Sequence, residues 1–218
     1  MDGLEEKTQT RSAEVGQTIE QRYIATERLP HAQILIAQDG MILHRSTHGR
    51  GRANGAPLHD NALFRIASMT KPVTSVAFMM LVEQGRVGLD DPVASVIPEL
   101  GSLAVFQSHD GTRFETRPGR PVRMIDLLRH SSGFTYGFLN RTPVDAAYRA
   151  ASILGIGSDQ DADVFIEALC AMPLEFEPGE RWNYSVSTDV LGDVVARLVG
   201  GPLGEILFEW IFKPLGMV

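Results

Sequence analysis

A serine and a lysine three positions apart, Ser68 and Lys71, are the residues whose types and spacing most clearly suggest chemistry. They follow a short apolar run, Leu63–Ile66, and an apolar segment of helical character continues after them. If a helix begins near Ser68, the two side chains share one face, because residues three apart on a helix are neighbours. A serine hydroxyl needs a neighbouring base to act as a nucleophile, and a partly desolvated lysine amine can serve as one. The spacing therefore predicts a covalent catalytic pair, although a helix-capping serine followed by a surface lysine has the same pattern.

The helix that would carry this pair is predicted over Ser68–Glu83. Its apolar residues recur at the spacing of a helix that is buried along one side, and Gly85 provides a natural end. These apolar residues are Val73, Val76, Ala77, Met80 and Leu81. The pattern therefore predicts a helix that is anchored in a core and holds Ser68 and Lys71 at its start.

Hairpins and short helices account for most of the remaining chain. An Asp-Gly pair at 39–40 separates apolar runs at 32–37 and 41–44, and a similar pair at 110–111 follows the run at 105–106. Asp-Gly is a strong signal for a tight hairpin turn, because both residues tolerate left-handed backbone conformations. Helical patterns occur at 12–28, 124–129, 161–172, 188–199 and 203–212, whereas 140–157 has no clear pattern. Strands and helices that are segregated in this way predict an α+β fold.

Composition argues against several classes of function. The 218 residues carry a net charge of -7 and no basic block, so nucleic-acid binding has no electrostatic support. The longest apolar runs are far shorter than a membrane span, and the acidic start has no signal-peptide pattern. We therefore expect a cytoplasmic protein that binds no membrane. Cys170 is the single cysteine, and its apolar neighbours predict a buried position on a helix.

Several longer motifs accompany the Ser-x-x-Lys pair in a fixed order. They are SMTKPVT (68–74), GRVGLDDPV (85–93), IDLLRHSSGF (125–134), FEPGERWNYSV (176–186) and FKPLGM (212–217). Together they resemble the serine β-lactamase-like superfamily, and most closely the family VIII carboxylesterases that are related to class C β-lactamases. Ser-x-x-Lys is the nucleophile motif of that superfamily. Because several long motifs match in the family's order, the resemblance favours catalysis over helix capping for Ser68.

The resemblance implies a β-lactamase/transpeptidase-like α+β fold, in which an antiparallel sheet is flanked by helices and accompanied by an all-helical domain. Residues 1–87 would begin the α/β domain with a helix, a hairpin and the nucleophile helix, and residues 88–218 would form the mostly helical domain. The family's remaining strands and C-terminal helix come after position 218. We therefore expect this chain to be the N-terminal part of a longer protein, or one piece of a cleaved one, with a second polypeptide segment completing the sheet.

The resemblance assigns roles to three residues. Ser68 would attack the ester carbonyl and form an acyl-enzyme, Lys71 would help to remove the serine proton, and Tyr184 would act as a second base that passes protons to the leaving group. The backbone N–H of Ser68 would be one donor of the oxyanion hole, and the other would come from a strand beyond position 218. Because losing one such donor costs ~100–1000-fold in rate, we expect residues 1–218 alone to be inactive.

Five residues near these motifs are candidates for substrate binding. At the position of Val186, class C β-lactamases have an asparagine whose amide binds the β-lactam, and valine cannot form that hydrogen bond. Val186 therefore favours esters over β-lactams. The aromatic residues Phe134, Tyr136, Phe138 and Trp182 are expected either to line a pocket for the acyl or alcohol group or to pack in the core.

The histidines predict neither a catalytic base nor a metal site. His130 precedes a Ser-Ser-Gly segment and is expected to shape that loop. His44 and His48 are four positions apart on a predicted strand, a spacing that separates their side chains, and no third ligand is evident. We therefore expect no metal and no cofactor.

The sequence thus predicts a serine carboxylesterase that acts on a small-molecule ester, with short acyl chains, through an acyl-enzyme on Ser68. Weak β-lactamase activity is left open. Two alternatives remain at this point: a β-lactamase, D-amino peptidase or acyltransferase on the same scaffold, and a non-catalytic β-lactamase-like binding protein. The sequence gives no indication of the oligomeric state.

Overall fold

The computed structural model describes residue 11 and residues 14–51, 55–153 and 161–217. These residues belong to two compact units, 1–65 and 66–218. The boundary predicted from the sequence, after residue 87, differs from this division. The helix that follows Ser68 belongs to the second unit, because it buries its apolar face against helices from later in the chain.

The first unit contains a helix followed by a hairpin. Residues 14–19 are helical and continue into a π-helix, Glu20–Ile24. Strand β1 (His31–Gln38) pairs antiparallel with β2 (Met41–Gly49), and within the described ranges these strands pair only with each other. Asp39 and Gly40 have φ values of 51° and 79°, the left-handed conformations that a two-residue hairpin turn requires. The predicted hairpin is confirmed, and its second strand is longer than predicted.

Helix α1 (Thr70–Glu83) is central to the second unit and confirms the helix predicted after Ser68. Its side chains Ala77, Phe78 and Leu81 are fully buried, and the helix packs against α5 (Ser187–Val199). The glycine after the helix, at position 85, has φ 68° and ends it as predicted. The start of α1 is thereby attached to the main hydrophobic core.

The second hairpin is also confirmed. Strand β3 (Ala104–His109) pairs antiparallel with β4 (Phe114–Pro118). Asp110 organises the turn, because its Oδ1 accepts hydrogen bonds from the backbone N–H groups of Thr112 and Arg113, both at 2.7 Å. This hairpin lies in the second unit, beside the helices.

Short helices form the rest of the second unit. The α-helices are α2 (Met124–Leu128), α3 (Pro143–Ala150), α4 (Ala162–Cys170) and α6 (Leu203–Leu207), and α6 continues into a π-helix, Phe208–Phe212. The 3-10 turns Val93–Ser95 and Pro98–Ser102 follow α1, and another, Gly137–Leu139, lies between α2 and α3. Over the ranges that the structure describes, no helix is both long enough and apolar enough to cross a membrane.

Helix α3 falls in a segment for which the sequence pattern made no assignment. Its start nevertheless carries recognisable signals. Thr142 caps it by accepting a hydrogen bond of 3.1 Å from the backbone N–H of Asp145, and Pro143 occupies the first turn. Both are favoured at helix N-termini. The spacing of apolar residues does not reveal this helix, because it is only 8 residues long and only three of its residues are buried.

The predicted burial of Cys170 is wrong, because the residue is exposed at the end of α4. The buried stripe of this helix consists of Phe165, Ile166 and Leu169, so position 170 turns outward. The thiol donates a 3.2 Å hydrogen bond to the backbone carbonyl of Glu99. Desolvation of the sulfur, with the charges of Glu99 and Glu167, raises the pKa of the Cys170 thiol.

Candidate active site

Ser68 lies in a 3-10 turn, Ala67–Met69, that leads directly into α1, and the residue is exposed to solvent. Ala67 has φ 45°, a left-handed conformation that is uncommon for a residue with a Cβ atom and that often marks functional sites. The first backbone N–H groups of a helix have no intrahelical partner. The turn therefore presents the Ser68 hydroxyl to solvent next to backbone donors.

Tyr184 contacts Ser68 directly, although 116 positions separate them in sequence. The Tyr184 Oη donates a hydrogen bond of 2.5 Å to Ser68 Oγ. The ring is half-buried against the core, in the segment that leads into α5. The fold thus brings together two of the three residues that the sequence prediction named as catalytic.

Lys71, the third of these residues, lies beside Tyr184 and hydrogen-bonds elsewhere. Its Nζ is 5.1 Å from the centre of the Tyr184 ring and donates a 3.1 Å hydrogen bond to Tyr136 Oη. Within the described residues there is no hydrogen bond between Lys71 and Ser68. In this structure the lysine amine hydrogen-bonds to Tyr136 rather than to Ser68.

Asp189 completes the cluster, and the sequence analysis did not single it out. The Tyr136 hydroxyl donates a 2.8 Å hydrogen bond to Asp189 Oδ2. Burial of the Asp189 carboxyl raises its pKa, although part of the residue is accessible to solvent. Burial also raises the pKa of Tyr136, and the negative charge of Asp189 raises it further. An acidic residue in the first turn of a helix is favoured there by the helix dipole. Its position in the sequence therefore carries no separate signal of function.

The loop 130–136 holds Tyr136 in place because the segment 174–187 binds it along its length. Gly133 C=O accepts from Glu175 N at 2.7 Å, and Thr135 C=O accepts from Val186 N at 3.3 Å. Gly133 has φ 89°, and a Cβ atom there would lie 2.5 Å from the backbone carbonyl oxygen of Phe176. Only glycine fits this close approach. The same segment carries the tyrosine that contacts Ser68, so the two phenols are positioned together.

His130 packs its ring against Tyr184 and Trp182, with centroid distances of 5.0 and 6.4 Å. Its Nδ1 accepts a 3.3 Å hydrogen bond from the backbone N–H of Ser185 and lies 3.2 Å from that residue's hydroxyl. Burial, and secondarily the charge of Lys71, lowers the pKa of His130. The neutral imidazole therefore packs against Tyr184 and accepts a hydrogen bond from the segment that carries it. This agrees with the structural role that the sequence predicts for His130.

The residues expected to bind substrate separate into two groups. Phe134 and Val186 are 1% and 0% exposed and belong to the core, so in this structure neither offers surface to a ligand. Phe138 and Trp182 are 58% and 70% exposed, and Phe138 stacks on Tyr136 at 4.9 Å. Neither Phe134 nor Val186 contacts a substrate in this structure, because a side chain without accessible surface cannot do so. The preference for esters over β-lactams stays a prediction.

In the first unit, two histidines approach each other more closely than the sequence analysis expected. Their Nε2 atoms, on His44 and His48, each lie 2.9 Å from Ser46 Oγ, and His48 Nδ1 lies 2.8 Å from Glu20 Oε2. The three strand residues alternate along β2 and so share one face. Across the described ranges, no group of three or more His, Cys, Asp or Glu residues could hold a metal ion.

Comparisons with known proteins show the family to which the chain belongs. The family model described as Beta-lactamase matches residues 17–218. The chain is 43% identical over 164 residues to the Mycobacterium tuberculosis (strain H37Rv) protein Rv1367c, covering 75% of this chain and 40% of that protein. It is 36% identical over 196 residues to Esterase EstB of Burkholderia gladioli, covering 87% of this chain and 46% of the esterase.

A solved structure extends the likeness to three dimensions. EstCE1, described as a hydrolase with promiscuous acyltransferase activity, superimposes with a TM-score of 0.80 at 29% identity, covering 96% of this chain and 52% of that one. The chain thus spans about half the length of the proteins that it matches. The resemblance inferred from the sequence motifs is confirmed.

Proposed function

This chain belongs to the β-lactamase family and has its β-lactamase/transpeptidase-like fold, and we propose that it supplies the nucleophile of a serine hydrolase that cleaves carboxylic esters with short acyl chains. Its relatives include esterases, and this likeness supports ester cleavage over the other reactions of the family. The substrate is a small-molecule ester. No cofactor enters the proposed reaction.

The contact between Ser68 and Tyr184 is the observation that carries the proposal. The Tyr184 oxygen is hydrogen-bonded to Ser68 Oγ, and once it has given up its own proton it can take the serine proton as the serine attacks. The Lys71 Nζ, 5.1 Å from the centre of the Tyr184 ring, is a cation placed to stabilise the negative charge of that phenolate. These three groups can therefore act as one acid–base unit around the nucleophile.

The reaction proceeds in two halves. Tyr184 reacts as its phenolate, the form that can accept a proton. Ser68 Oγ bonds to the ester carbonyl carbon, and the serine proton passes to the phenolate oxygen. The bond from that carbon to the alcohol oxygen then breaks, and the alcohol leaves with the proton from Tyr184, which becomes a phenolate again. Water attacks the resulting acyl-enzyme and gives a proton to the phenolate, and this proton returns to Ser68 as the carboxylic acid is released. Proton transfer of this kind contributes typically ~10²–10⁴-fold to rate.

Exposed aromatic surface is available for the organic groups of the ester. Phe138 and Trp182 present most of their side chains to solvent, and Phe138 is stacked on Tyr136. Apolar contact with a short acyl or alcohol group would remove this surface from water. Fewer residues are thus available to contact the substrate than the sequence predicts, since Phe134 and Val186 lie in the core.

Acyl transfer to an alcohol is a second candidate, favoured by the likeness to EstCE1 with its promiscuous acyltransferase activity. The same acyl-enzyme would be attacked by an alcohol in place of water. The two candidates are separated by adding a short alcohol to a p-nitrophenyl butyrate assay and measuring the new ester against butyric acid. Hydrolysis as the main activity predicts an excess of the acid.

The proposed function is tested by treating the complete wild-type protein with a fluorophosphonate probe, which labels activated serines. We expect labelling that is lost in Ser68→Ala and kept in Ser102→Ala, an exposed serine of the same unit. We also expect p-nitrophenyl butyrate to be hydrolysed faster than nitrocefin. Absence of labelling in the wild-type protein would favour a non-catalytic binding protein, and faster turnover of nitrocefin would favour a β-lactamase.

A further inference from the structure

A chain of two hydrogen bonds connects Lys71 to a carboxylate that it does not contact. Lys71 Nζ donates to Tyr136 Oη at 3.1 Å, and Tyr136 Oη donates to Asp189 Oδ2 at 2.8 Å. The three residues come from α1, from the loop before the 3-10 turn Gly137–Leu139, and from the first turn of α5. The chain therefore links the two helices that pack together beneath the candidate site.

The direction of these bonds is determined by the groups themselves. A phenol has one hydrogen, and a carboxylate accepts but does not donate, so the hydrogen of Tyr136 points to Asp189. The lone pairs of Tyr136 then face Lys71, whose ammonium donates. Burial raises the pKa of Tyr136 and keeps it a neutral phenol that can make both bonds. The negative charge of Asp189 thus acts on Lys71 through an oriented phenol.

We propose that Tyr136 and Asp189 are positioning residues that hold the Lys71 ammonium beside the rings of Tyr136 and Tyr184 and thereby set the pH range in which Ser68 reacts, an inference that rests on the proposed function. Lys71 Nζ lies 5.4 and 5.1 Å from the ring centres of Tyr136 and Tyr184, which are themselves 5.4 Å apart. Without the Tyr136 hydroxyl, the flexible lysine side chain would lose its fixed position beside Tyr184.

The charged and titratable groups that face Lys71 are few. Tyr136 and His130 come from the loop 130–136, Tyr184 comes from the segment 174–187, and Asp189 comes from α5. His130 is neutral for the reasons given above. Asp189 is the carboxylate of this cluster, and its negative charge offsets part of the positive charge of Lys71. Removing the charge of Asp189 must therefore let Lys71 stabilise the Tyr184 phenolate, the form that takes the serine proton, more strongly.

Asp189→Asn is the decisive variant, because the asparagine oxygen can still accept from Tyr136 while the negative charge is gone. We expect the rate of fluorophosphonate labelling at Ser68 to reach half its maximum at a pH lower by about 0.5–1 unit. Tyr136→Phe removes the acceptor for Lys71, and we expect it to slow labelling by ~10-fold or more across the pH range.

Asp193→Asn is the matched control. Asp193 lies one turn further along α5, its carboxyl pKa is also raised by burial, and it pairs with Arg197 at 2.9 Å rather than facing Lys71. We expect its pH profile to match that of the wild-type protein. If the profile changed only because α5 was destabilised, the pH profile of Ser68 labelling would change in both asparagine variants. Thermal unfolding of each variant measures how much stability each one has lost.

The double variant, Tyr136→Phe with Asp189→Asn, tests whether the carboxylate acts through the phenol. If it does, Asp189→Asn produces little further change once Tyr136 is phenylalanine. The inference is overturned if Asp189→Asn keeps the wild-type pH profile, or if its effect is undiminished in the Tyr136→Phe background. A wild-type protein that is not labelled at Ser68 would overturn the proposed function as well, so the two failures are distinguishable.

Discussion

Tyr184, and not Lys71, is the residue whose titratable group contacts Ser68 in the described part of the chain, with 2.5 Å between the two hydroxyl oxygens. Lys71 hydrogen-bonds to Tyr136 instead and lies over the face of Tyr184. This relationship separates two roles. Tyr184 is placed to exchange a proton with the nucleophile, and the ammonium of Lys71 is placed to stabilise the phenolate that takes this proton.

Replacing Tyr184 by phenylalanine tests the first role. The ring and its packing remain, but the hydroxyl that contacts Ser68 is lost. We expect the acylation rate to fall by ~10²–10⁴-fold, the usual contribution of a positioned acid–base group. The measurement is the pre-steady-state release of p-nitrophenol from p-nitrophenyl butyrate. Tyr148→Phe, which alters a fully buried phenol of the same unit, is the control and should stay close to the wild-type rate. Equal rates in the two variants would contradict the role of Tyr184.

Substitutions of Lys71 test whether its charge alone is sufficient. Lys71→Met removes the charge with little change in length, and we expect acylation to slow by ~100-fold or more. Lys71→Arg keeps the charge, because a guanidinium stays protonated in proteins. We therefore expect arginine to recover part of the rate that methionine loses. The same burst assay measures both. A rate in the arginine variant as low as that of the methionine variant would contradict the role of Lys71 as a fixed cation.

Local sequence signals were sufficient for several elements of each unit. The Asp-Gly pairs predicted both hairpins because their turns need left-handed residues, and the apolar spacing after Ser68 predicted α1. The family motifs identified Ser68, Lys71 and Tyr184, and the fold brings these into one cluster. Each of these signals is either local in the chain or a property of a long motif.

Features that depend on tertiary packing could not be read from the sequence. Asp189 looks like any acidic residue in the first turn of a helix, and only the approach of Tyr136 gives it a role. Phe134 and Val186 neighbour the catalytic motifs, but the loop and α5 turn them into the core. Whether a residue next to a motif points toward a cleft or away from it is decided by packing.

The turn between β3 and β4 yields a pH-dependent prediction. Hydrogen bonds from the backbone N–H groups of Arg113 and Thr112 lower the pKa of Asp110 from 3.8 to about 2. A carboxyl with a depressed pKa in the folded state stabilises the fold above its unfolded pKa and loses this contribution as pH falls through the folded value. We expect the stability advantage of the wild-type protein over Asp110→Asn to shrink between pH 4 and about 2.

Asparagine is the suitable replacement in this experiment, because the hydrogen bonds in the turn all go to Oδ1 and an amide oxygen can accept them. Thermal unfolding of the two proteins at several pH values measures the difference, so that carboxylates common to both cancel. A difference that stays constant from neutral pH to pH 2 would mean that the charge of Asp110 contributes nothing to folding stability.

Gly133 should be the glycine on which the site depends most strongly. In Gly133→Ala the new Cβ meets the Phe176 carbonyl oxygen at 2.5 Å and Leu174 Cβ at 2.9 Å, in addition to the strain of φ 89°. Gly200 has a similar φ of 85° with nothing within 4 Å, so Gly200→Ala carries the backbone strain alone. We expect Gly133→Ala to lower the free energy of unfolding by a further ~1–3 kcal/mol relative to Gly200→Ala. Denaturant unfolding of both variants measures this. Equal stability of the two variants would refute the steric argument. Because the loop also positions Tyr136, labelling of Ser68 should fall in Gly133→Ala even under conditions where this variant remains folded.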